Sequence, residues 1–329
     1  MREPWFWRSR SLTARTVATA LSPLSALYDF GQQARWRFAK AAKAEIPVIC
    51  IGNASLGGVG KTPFAIALCE QLKKEGASRH FLTRGFGGFA RGPLRVDPSV
   101  HQSSLVGDEA LLLARHGTVW VSADRPAGAE AAAKAGADVI IMDDGFQNPT
   151  LEKTCAILLI DAGDPEGNGR VFPAGPMREP LARAKMRADI VVMIGADGQS
   201  AKSAAKEFGT PFAAWLEPAG PLAPEKVVAF SGIGKPEKFF QSLRRWGYDV
   251  AQGIAYPDHH PFSAHDLAAI RKAAKQYDAK LVTTEKDFAR LSEEDRRDID
   301  AVSVRMRIND PEGLLTLLRP IIDRAGASG

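Results

Sequence analysis

SLGGVGKTP, residues 55–63, decides how the rest of this chain is read. It carries the G-G-x-G-K-T core of a phosphate-binding loop, although the common pattern G-x-x-x-x-G-K-[ST] begins on glycine and this stretch begins on Ser55. IPVICI (46–51) before it reads as a buried strand, and FAIALCEQLKKEG after it as a helix closed by glycine. Strand, glycine-rich loop and helix in that order are the context such a loop requires. Gly57, Gly58 and Gly60 let backbone N–H groups close around phosphate oxygens, with Ser55, Leu56 and Val59 completing the loop. Lys61 brings a point charge to the outer phosphates, Thr62 a hydroxyl to Mg²⁺, and the helix that follows adds the positive end of its dipole.

Outward from the loop, short apolar runs alternate with helical patterns. HFLT (80–83), TVWVSA (118–123), DVIIMD (138–143), CAILLID (155–161), DIVVMIG (189–195) and FAAWLE (212–217) read as further strands. Near-continuous apolar strands separated by helices imply a parallel sheet covered on both faces, an α/β fold. The pattern breaks at LEPAGPLAPEK (216–226), where three prolines and a glycine intervene. A chain of 329 residues has room for two cores. We therefore expect a P-loop domain over 46–218 and a smaller α/β domain over 219–329, which includes AVSVRMRI and a last helix opened by Asp310 and Pro311. Ser263 with Asp266 reads as a capping box for another helix of that domain.

A phosphate loop needs an acidic residue at the end of a neighbouring strand to organise Mg²⁺. ADVIIMDDGFQ (137–147) supplies Asp143 and Asp144, whose side chains point to opposite sides while the strand stays regular. These features describe a nucleoside triphosphatase or a kinase without choosing between them. TTEKD (283–287) matches the guanine motifs N-K-x-D or T-K-x-D only if its lysine is shifted one place, so it is not counted as one. Cys50, Cys69 and Cys155 lie far apart with no C-x-x-C spacing, which suggests neither a disulfide framework nor a cysteine metal cluster and fits a reducing, cytoplasmic setting.

The net charge of +5 is concentrated at the N-terminus: residues 1–43 hold eight of the basic residues against Glu3 and Asp29, leaving the remainder close to neutral. With Trp5, Phe6, Trp7, Trp36 and Phe38 among those charges, residues 1–45 read as a basic amphipathic segment suited to an anionic membrane surface rather than to nucleic acid. Arginines interrupt every apolar run, which excludes a spanning helix and a good signal peptide. Ser22 is expected to cap a helix from Pro23 that gathers Leu24, Leu27, Tyr28 and Phe38 near one face. That face packs on the protein's own body or meets a membrane, and residue pattern alone leaves both open.

GNASLGGVGKTP, RGFGG (84–88), GDEALLLA (107–114), DDGFQ (143–147), PAGPMREPL (173–181), FSGIG (230–234), PDHHPF (257–262) and TTEKD together resemble the tetraacyldisaccharide 4′-kinase family. The motifs run from residue 52 to residue 287, through both expected domains. The resemblance implies a kinase that uses ATP and Mg²⁺ to phosphorylate the 4′-hydroxyl of a lipid A precursor, a tetraacyldisaccharide 1-phosphate, at the cytoplasmic face of the inner membrane. It implies a loop without the first glycine, a hinge between the domains, and a membrane-facing N-terminal segment. It also assigns residues. Asp108 matches the family's proposed catalytic carboxylate, and His259 the partner that orients it once the smaller domain closes as a lid. Lys61 and Thr62 match the phosphate lysine and Mg²⁺ hydroxyl, and Asp143, Asp144, Gln147 and Glu179 the polar positions around metal and phosphates. Asn148 stands where many members have histidine. Arg84 and its glycines are expected to form a flexible loop for an anionic group. The competing reading is a regulatory GTPase or metallochaperone that phosphorylates no small molecule.

Overall fold

In the computed structural model, which describes residues 3–220 and 225–326, every residue of β1 (Val48–Asn53) is buried. Such a strand needs partners on both edges and cover on both faces. The strands that follow are β2 (Arg79–Thr83), β3 (Leu94–Arg95), β4 (Thr118–Val121), β5 (Val139–Asp143), β6 (Cys155–Asp161), β7 (Ile190–Gly195) and β8 (Phe212–Pro218). β1 lies between β5 and β6, and the sheet extends through β2 and β4 on one side and β7 and β8 on the other, all in parallel. β3 pairs antiparallel with β4; two residues carry no periodicity from which to expect it.

Four more strands, β9 (Lys226–Ser231), β10 (Asp249–Ala255), β11 (Lys280–Thr284) and β12 (Ile299–Val302), form a wholly parallel sheet in the order β10-β9-β11-β12. β13 (Val304–Ile308) then joins the large sheet beside β8, giving the order β13-β8-β7-β6-β1-β5-β2-β4-β3.

Helices α1 (Leu12–Ala20) and α2 (Ser22–Phe38) precede the sheet. Between its strands come α3 (Lys61–Lys74), α4 (Ser103–Val106), α5 (Asp108–Ala114), α6 (Arg125–Lys134), α7 (Leu181–Met186) and α8 (Gly198–Phe208). The small sheet is accompanied by α9 (Pro236–Arg245), α10 (Ala264–Tyr277) and α11 (Glu285–Phe288), and α12 (Pro311–Gly326) follows β13. On β9 alternate residues serve two cores: Val228 and Phe230 pack with Leu267 and Ile270 of α10, while Val227 and Ala229 pack with Phe239, Phe240 and Leu243 of α9.

The chain divides into two compact units, the larger from Pro4–Trp215 with the chain from Met306 onward, the smaller from Leu216–Arg305. This corrects the expected boundary at the C-terminal side, because α12 groups with the larger unit. Leu314, Leu315 and Leu318 are buried, and Arg319 makes a two-pronged ion pair with Glu75 at the end of α3 (3.0 and 3.1 Å). Residues 221–224 of the LEPAGPLAPEK break lie outside the described residues, as do residues 1, 2 and 327–329 at the two ends. The capping box is present, with Ser263 accepting from Asp266 N and Asp266 from Ser263 N.

The N-terminal segment packs one face on the protein's own body and leaves another exposed. The Trp7 ring N–H donates to Pro173 O (3.0 Å), Ser25 Oγ donates to Val171 O (2.7 Å), and Arg183 grips Asp29 through both oxygens (2.6 and 2.9 Å). Away from those contacts Leu24 (54% exposed), Leu27 (67%), Phe30 (69%) and Phe38 (79%) stand in solvent. Ser22 is not the cap: it is the first residue of α2, Leu21 holds the cap position, and the Ser22 hydroxyl donates back to Ala18 O (3.0 Å). Among the described residues no helix is long and apolar enough to cross a membrane.

Candidate active site

β1 ends at Asn53 and α3 starts at Lys61, so the glycine-rich loop spans the gap at the carboxyl end of the central strand. Ser55 is buried and forms an antiparallel bridge with Met177, flanked by Leu56 N→Pro176 O (2.6 Å) and Arg178 N→Ala54 O (2.7 Å). Paired backbone of this kind needs no glycine, which is the physical reason that serine suffices there. Gly57 (φ 101°) and Gly60 (φ 93°) do occupy the left-handed region, and a Cβ built on Gly58 would meet nothing within 4 Å, leaving room beside the backbone for an oxyanion.

Two side chains at the start of α3 are held in place. Lys61 Nζ donates to Asn53 Oδ1 (3.2 Å) and lies 3.7 Å from Asp144 Oδ1. Thr62 Oγ1 donates to Asp143 Oδ2 (3.0 Å). Asp143 is 1% exposed, and its other oxygen, Oδ1, has no hydrogen-bond partner in the structure. Burial pushes the Asp143 carboxyl well above the ordinary carboxylate range, reinforced by Glu109 and opposed by Lys61. A buried carboxylate with one oxygen on the loop threonine and the other unmatched fits a divalent cation. Among the described residues no group of three or more His, Cys, Asp or Glu is placed to hold one.

Both acidic residues border the loop because the strand does not stay regular: it ends at Asp143, and Asp144 turns into the left-handed region (φ 54°). Asp144 then pairs with Arg178 through both oxygens (3.0 and 3.2 Å). Burial would raise its pKa, but Lys61 and Arg178 outweigh that and bring it down to about 2. Gln147 and Glu179, expected near the metal, bond one another and groups beside the loop, and Glu179 Oε2, like Asp143 Oδ1, is buried with no hydrogen-bond partner. Gln147 Nε2 donates to Asn53 O (2.9 Å) and Glu179 Oε1 (3.1 Å), and Glu179 is paired with Arg187 (2.5 Å). Asn148, at the departure from the family pattern, accepts from Thr150 N and Oγ1 through its own Oδ1 (both 3.0 Å).

Asp108 is the first residue of α5 and 4% exposed, and its Oδ1 accepts from Glu109 N (3.1 Å). Its loop is locked against RGFGG. A Cβ on Gly107 would come within 2.5 Å of Phe86 O, and one on Gly88 within 2.4 Å of Leu105 O. Those glycines permit backbone-to-backbone approach, which corrects the expectation of a flexible loop. Arg125, unmarked in the sequence reading, is 3% exposed on the first turn of α6; burial, helped by Arg84 and opposed by Asp144 and Asp143, draws its guanidinium down to about 10. PAGPMREPL also brings a cleft of about 350 Å³, lined by Gln32, Trp36 and Arg37 of α2 together with Arg178, Arg183 and Arg187. A lone arginine in a sequence gives no sign of such convergence.

In the smaller unit, the three family motifs meet. Asp287 of TTEKD is fully buried and bonded to Ser231 and Gly232 of FSGIG, so it is not free to read a guanine base. His259 sits at φ 59° with its backbone N–H on Gly232 O (2.9 Å), and its Nδ1 is 3.2 Å from Arg290 Nη2. His260 instead joins Asp266 (3.1 Å) and stacks on Tyr256.

A model of the family described as tetraacyldisaccharide-1-P 4′-kinase matches residues 17–323. A protein of Paramagnetospirillum magneticum named tetraacyldisaccharide 4′-kinase is 44% identical over 99% of this chain and 99% of its own, and one of Rhodospirillum centenum with the same name is 42% identical over 98% and 97%. Among solved structures, the "apo" form of LpxK from Aquifex aeolicus in complex with ATP superposes with a TM-score of 0.73 at 28% identity, covering 93% of this chain and 99% of that one.

Proposed function

The chain belongs to the tetraacyldisaccharide-1-P 4′-kinase family, and from that premise we propose how its own residues carry the activity. The reaction transfers the γ-phosphoryl group of ATP, with Mg²⁺, to the 4′-hydroxyl of a lipid A precursor. The observation that carries the assignment of residues is the pair at the start of α3: Lys61 fixed between Asn53 and Asp144, and Thr62 on the half-matched Asp143.

Thr62 and Asp143 are the cation-organising residues, and Mg²⁺–ATP, when bound, supplies the phosphoryl group and neutralises part of its charge. Lys61 and the loop N–H groups stabilise the charge that builds on the transferring oxygens. Asp144 holds Lys61 in register from one side, and Arg125 adds a second fixed cation. Asp108 accepts the proton of the attacking 4′-hydroxyl as the new O–P bond forms and the bond to the leaving ADP breaks. Its burial and its rigid loop suit a group that must meet a substrate oxygen without reorganising. His259 is proposed as the second residue of the catalytic set.

The cleft beside α2 gathers Arg178, Arg183 and Arg187, each already paired with a carboxylate (Asp144, Asp29 and Glu179), and the phosphate that the substrate carries would share these guanidinium groups, which match its geometry. The exposed apolar side chains of α2, with the basic residues around them, suit the anionic inner-membrane surface from which such a lipid would be drawn. The deciding experiment follows labelled γ-phosphate from ATP. Label in the lipid fraction supports the kinase reading, whereas release only as free phosphate would point to the hydrolytic switch.

A further inference from the structure

Behind His259 the smaller unit carries a buried ion pair that the chemistry above does not use. Asp287 Oδ2 accepts hydrogen bonds from Ser231 Oγ (2.7 Å), Gly232 N (3.1 Å) and Thr284 Oγ1 (2.8 Å). Its Oδ1 accepts from Arg290 Nη1 (2.7 Å), which also donates to Gly232 O (3.0 Å). With a carboxylate and a carbonyl on the same nitrogen, the guanidinium plane is fixed. Its other terminal nitrogen, Nη2, reaches His259 Nδ1 at 3.2 Å.

A guanidinium has donors only, so Nδ1 must present its lone pair. A neutral imidazole with the lone pair on Nδ1 carries its proton on Nε2. Asp258 Oδ1 lies 3.7 Å from Nε2, beyond hydrogen-bond distance, so the tautomer is set by the contact at Nδ1. The backbone is held from the same point, because Gly232 O receives both the His259 N–H and Arg290 Nη1. His259 stands at φ 59°, a region costly for a residue with a Cβ, and such a conformation persists where its surroundings over-determine it.

We propose that Asp287 and Arg290 are positioning residues that fix the tautomer of His259, so that the ring presents Nε2–H as a hydrogen-bond donor. At that atom His259 can hold a carboxylate or phosphate oxygen, but it cannot take a proton. In this family's reaction it therefore steers an oxygen and does not act as the base. The effect on rate rests on the proposed role of His259 in the reaction; the tautomer does not.

The test uses the full chain with ¹⁵N-labelled histidine and long-range ¹H–¹⁵N correlation, the His259→Ala variant identifying the signal. The native ring should show the Nε2–H pattern, with Nδ1 as acceptor. Arg290→Met should mix the tautomers and lower kcat roughly 10–100-fold, by analogy with the loss of a group that orients a metal-ligating imidazole. KM for ATP should not change, and Arg290→Lys, which restores a donor, should recover the tautomer and most of the rate. In a His259→Ala background, Arg290→Met should have no further effect on kcat. An Nδ1–H pattern in the native protein would overturn the proposal, as would an equal loss from Arg290→Met with and without His259. If Arg290→Met fails to fold, the native signal and Arg290→Lys decide. If His259→Ala keeps full turnover, the functional reading of His259 fails while the tautomer result stands.

Discussion

Lys61→Ala removes a side chain that the structure pins directly between β1 and the Asp144 carboxylate. Two consequences separate. In the resting protein, Asn53, which is fully buried, loses the donor to its Oδ1 while its Nδ2 stays on Ser55 O (2.7 Å). Leaving a buried acceptor unmatched costs ~1–3 kcal/mol, a tolerable fraction of the stability of a chain this size and a drop of a few degrees in Tm. Asp144 does not become an isolated charge, because Arg178 still holds both of its oxygens. In the reaction the loss is larger. Removing one preorganised group aimed at developing phosphoryl charge costs ~10²–10³ in rate, about 2.7–4 kcal/mol of barrier. Lys61→Met keeps most of the stem and should lose as much activity with less destabilisation, which shows that charge and not packing matters. The assay is single-turnover transfer of labelled γ-phosphate to detergent-dispersed lipid substrate, with folding followed by far-UV circular dichroism. A folded Lys61→Ala or Lys61→Met protein with near-native turnover would refute the assignment of the loop as the reaction site.

Three other outcomes are expected. Leu27→Glu combined with Phe38→Glu, both on the exposed side of α2, should weaken binding to anionic vesicles by well over tenfold, since burying each such side chain is worth ~1.5–3 kcal/mol; unchanged sedimentation with vesicles would show that this face serves something else. Asp108→Ala should cost more in kcat than His259→Ala, and the double variant should be scarcely worse than Asp108→Ala; losses that multiply in full would show that the two act independently. The third concerns pH. Hydrogen bonding from Arg183 holds Asp29 below the ordinary carboxylate range against the opposing effect of burial. The stabilisation is therefore fully present above the unfolded pKa of about 3.9 and is lost as pH falls through the lower folded value. Urea unfolding of Asp29→Asn should show a deficit at neutral pH that closes toward pH 3, and a constant deficit would exclude the pair as its source.

The phosphate loop was legible because its chemistry is local: glycines, lysine and threonine act within a few residues of one another, and the flanking strand and helix carry strong periodicity. What the sequence could not disclose depends on distant partners. Ser55 is explained by its bridge to Met177, and no pattern within the loop announces that pairing. The glycines of RGFGG read as freedom when considered alone, but they are required by the close passage of Gly107. Arg178 and Arg290 look like ordinary surface cations until the fold pairs them with Asp144 and Asp287, as does Arg125 until the fold buries it. The last helix was misassigned for the same reason, since nothing in its own periodicity says which core its leucines enter. Asp108 and His259 stood out only through the resemblance, and their local sequence suits a helix start or a turn equally well.

The return of the chain into the large sheet has a bearing on how the protein is made. β13 brings Met306 to the phosphate loop, where a Cβ built on Gly60 would touch Met306 Cε at 3.0 Å. The loop therefore leaves the ribosome about 250 residues ahead of the side chain that backs it, a delay of roughly 10–50 s at ~5–20 residues per second. Until then the nascent sheet has an open edge at β8, a surface on which strands of other chains could pair. A product terminated between Pro218 and Met306 would keep the phosphate loop, DDGFQ and PAGPMREPL and still lack the side chain that backs Gly60, so it should be cleared by proteolysis and not accumulate as a partly active enzyme.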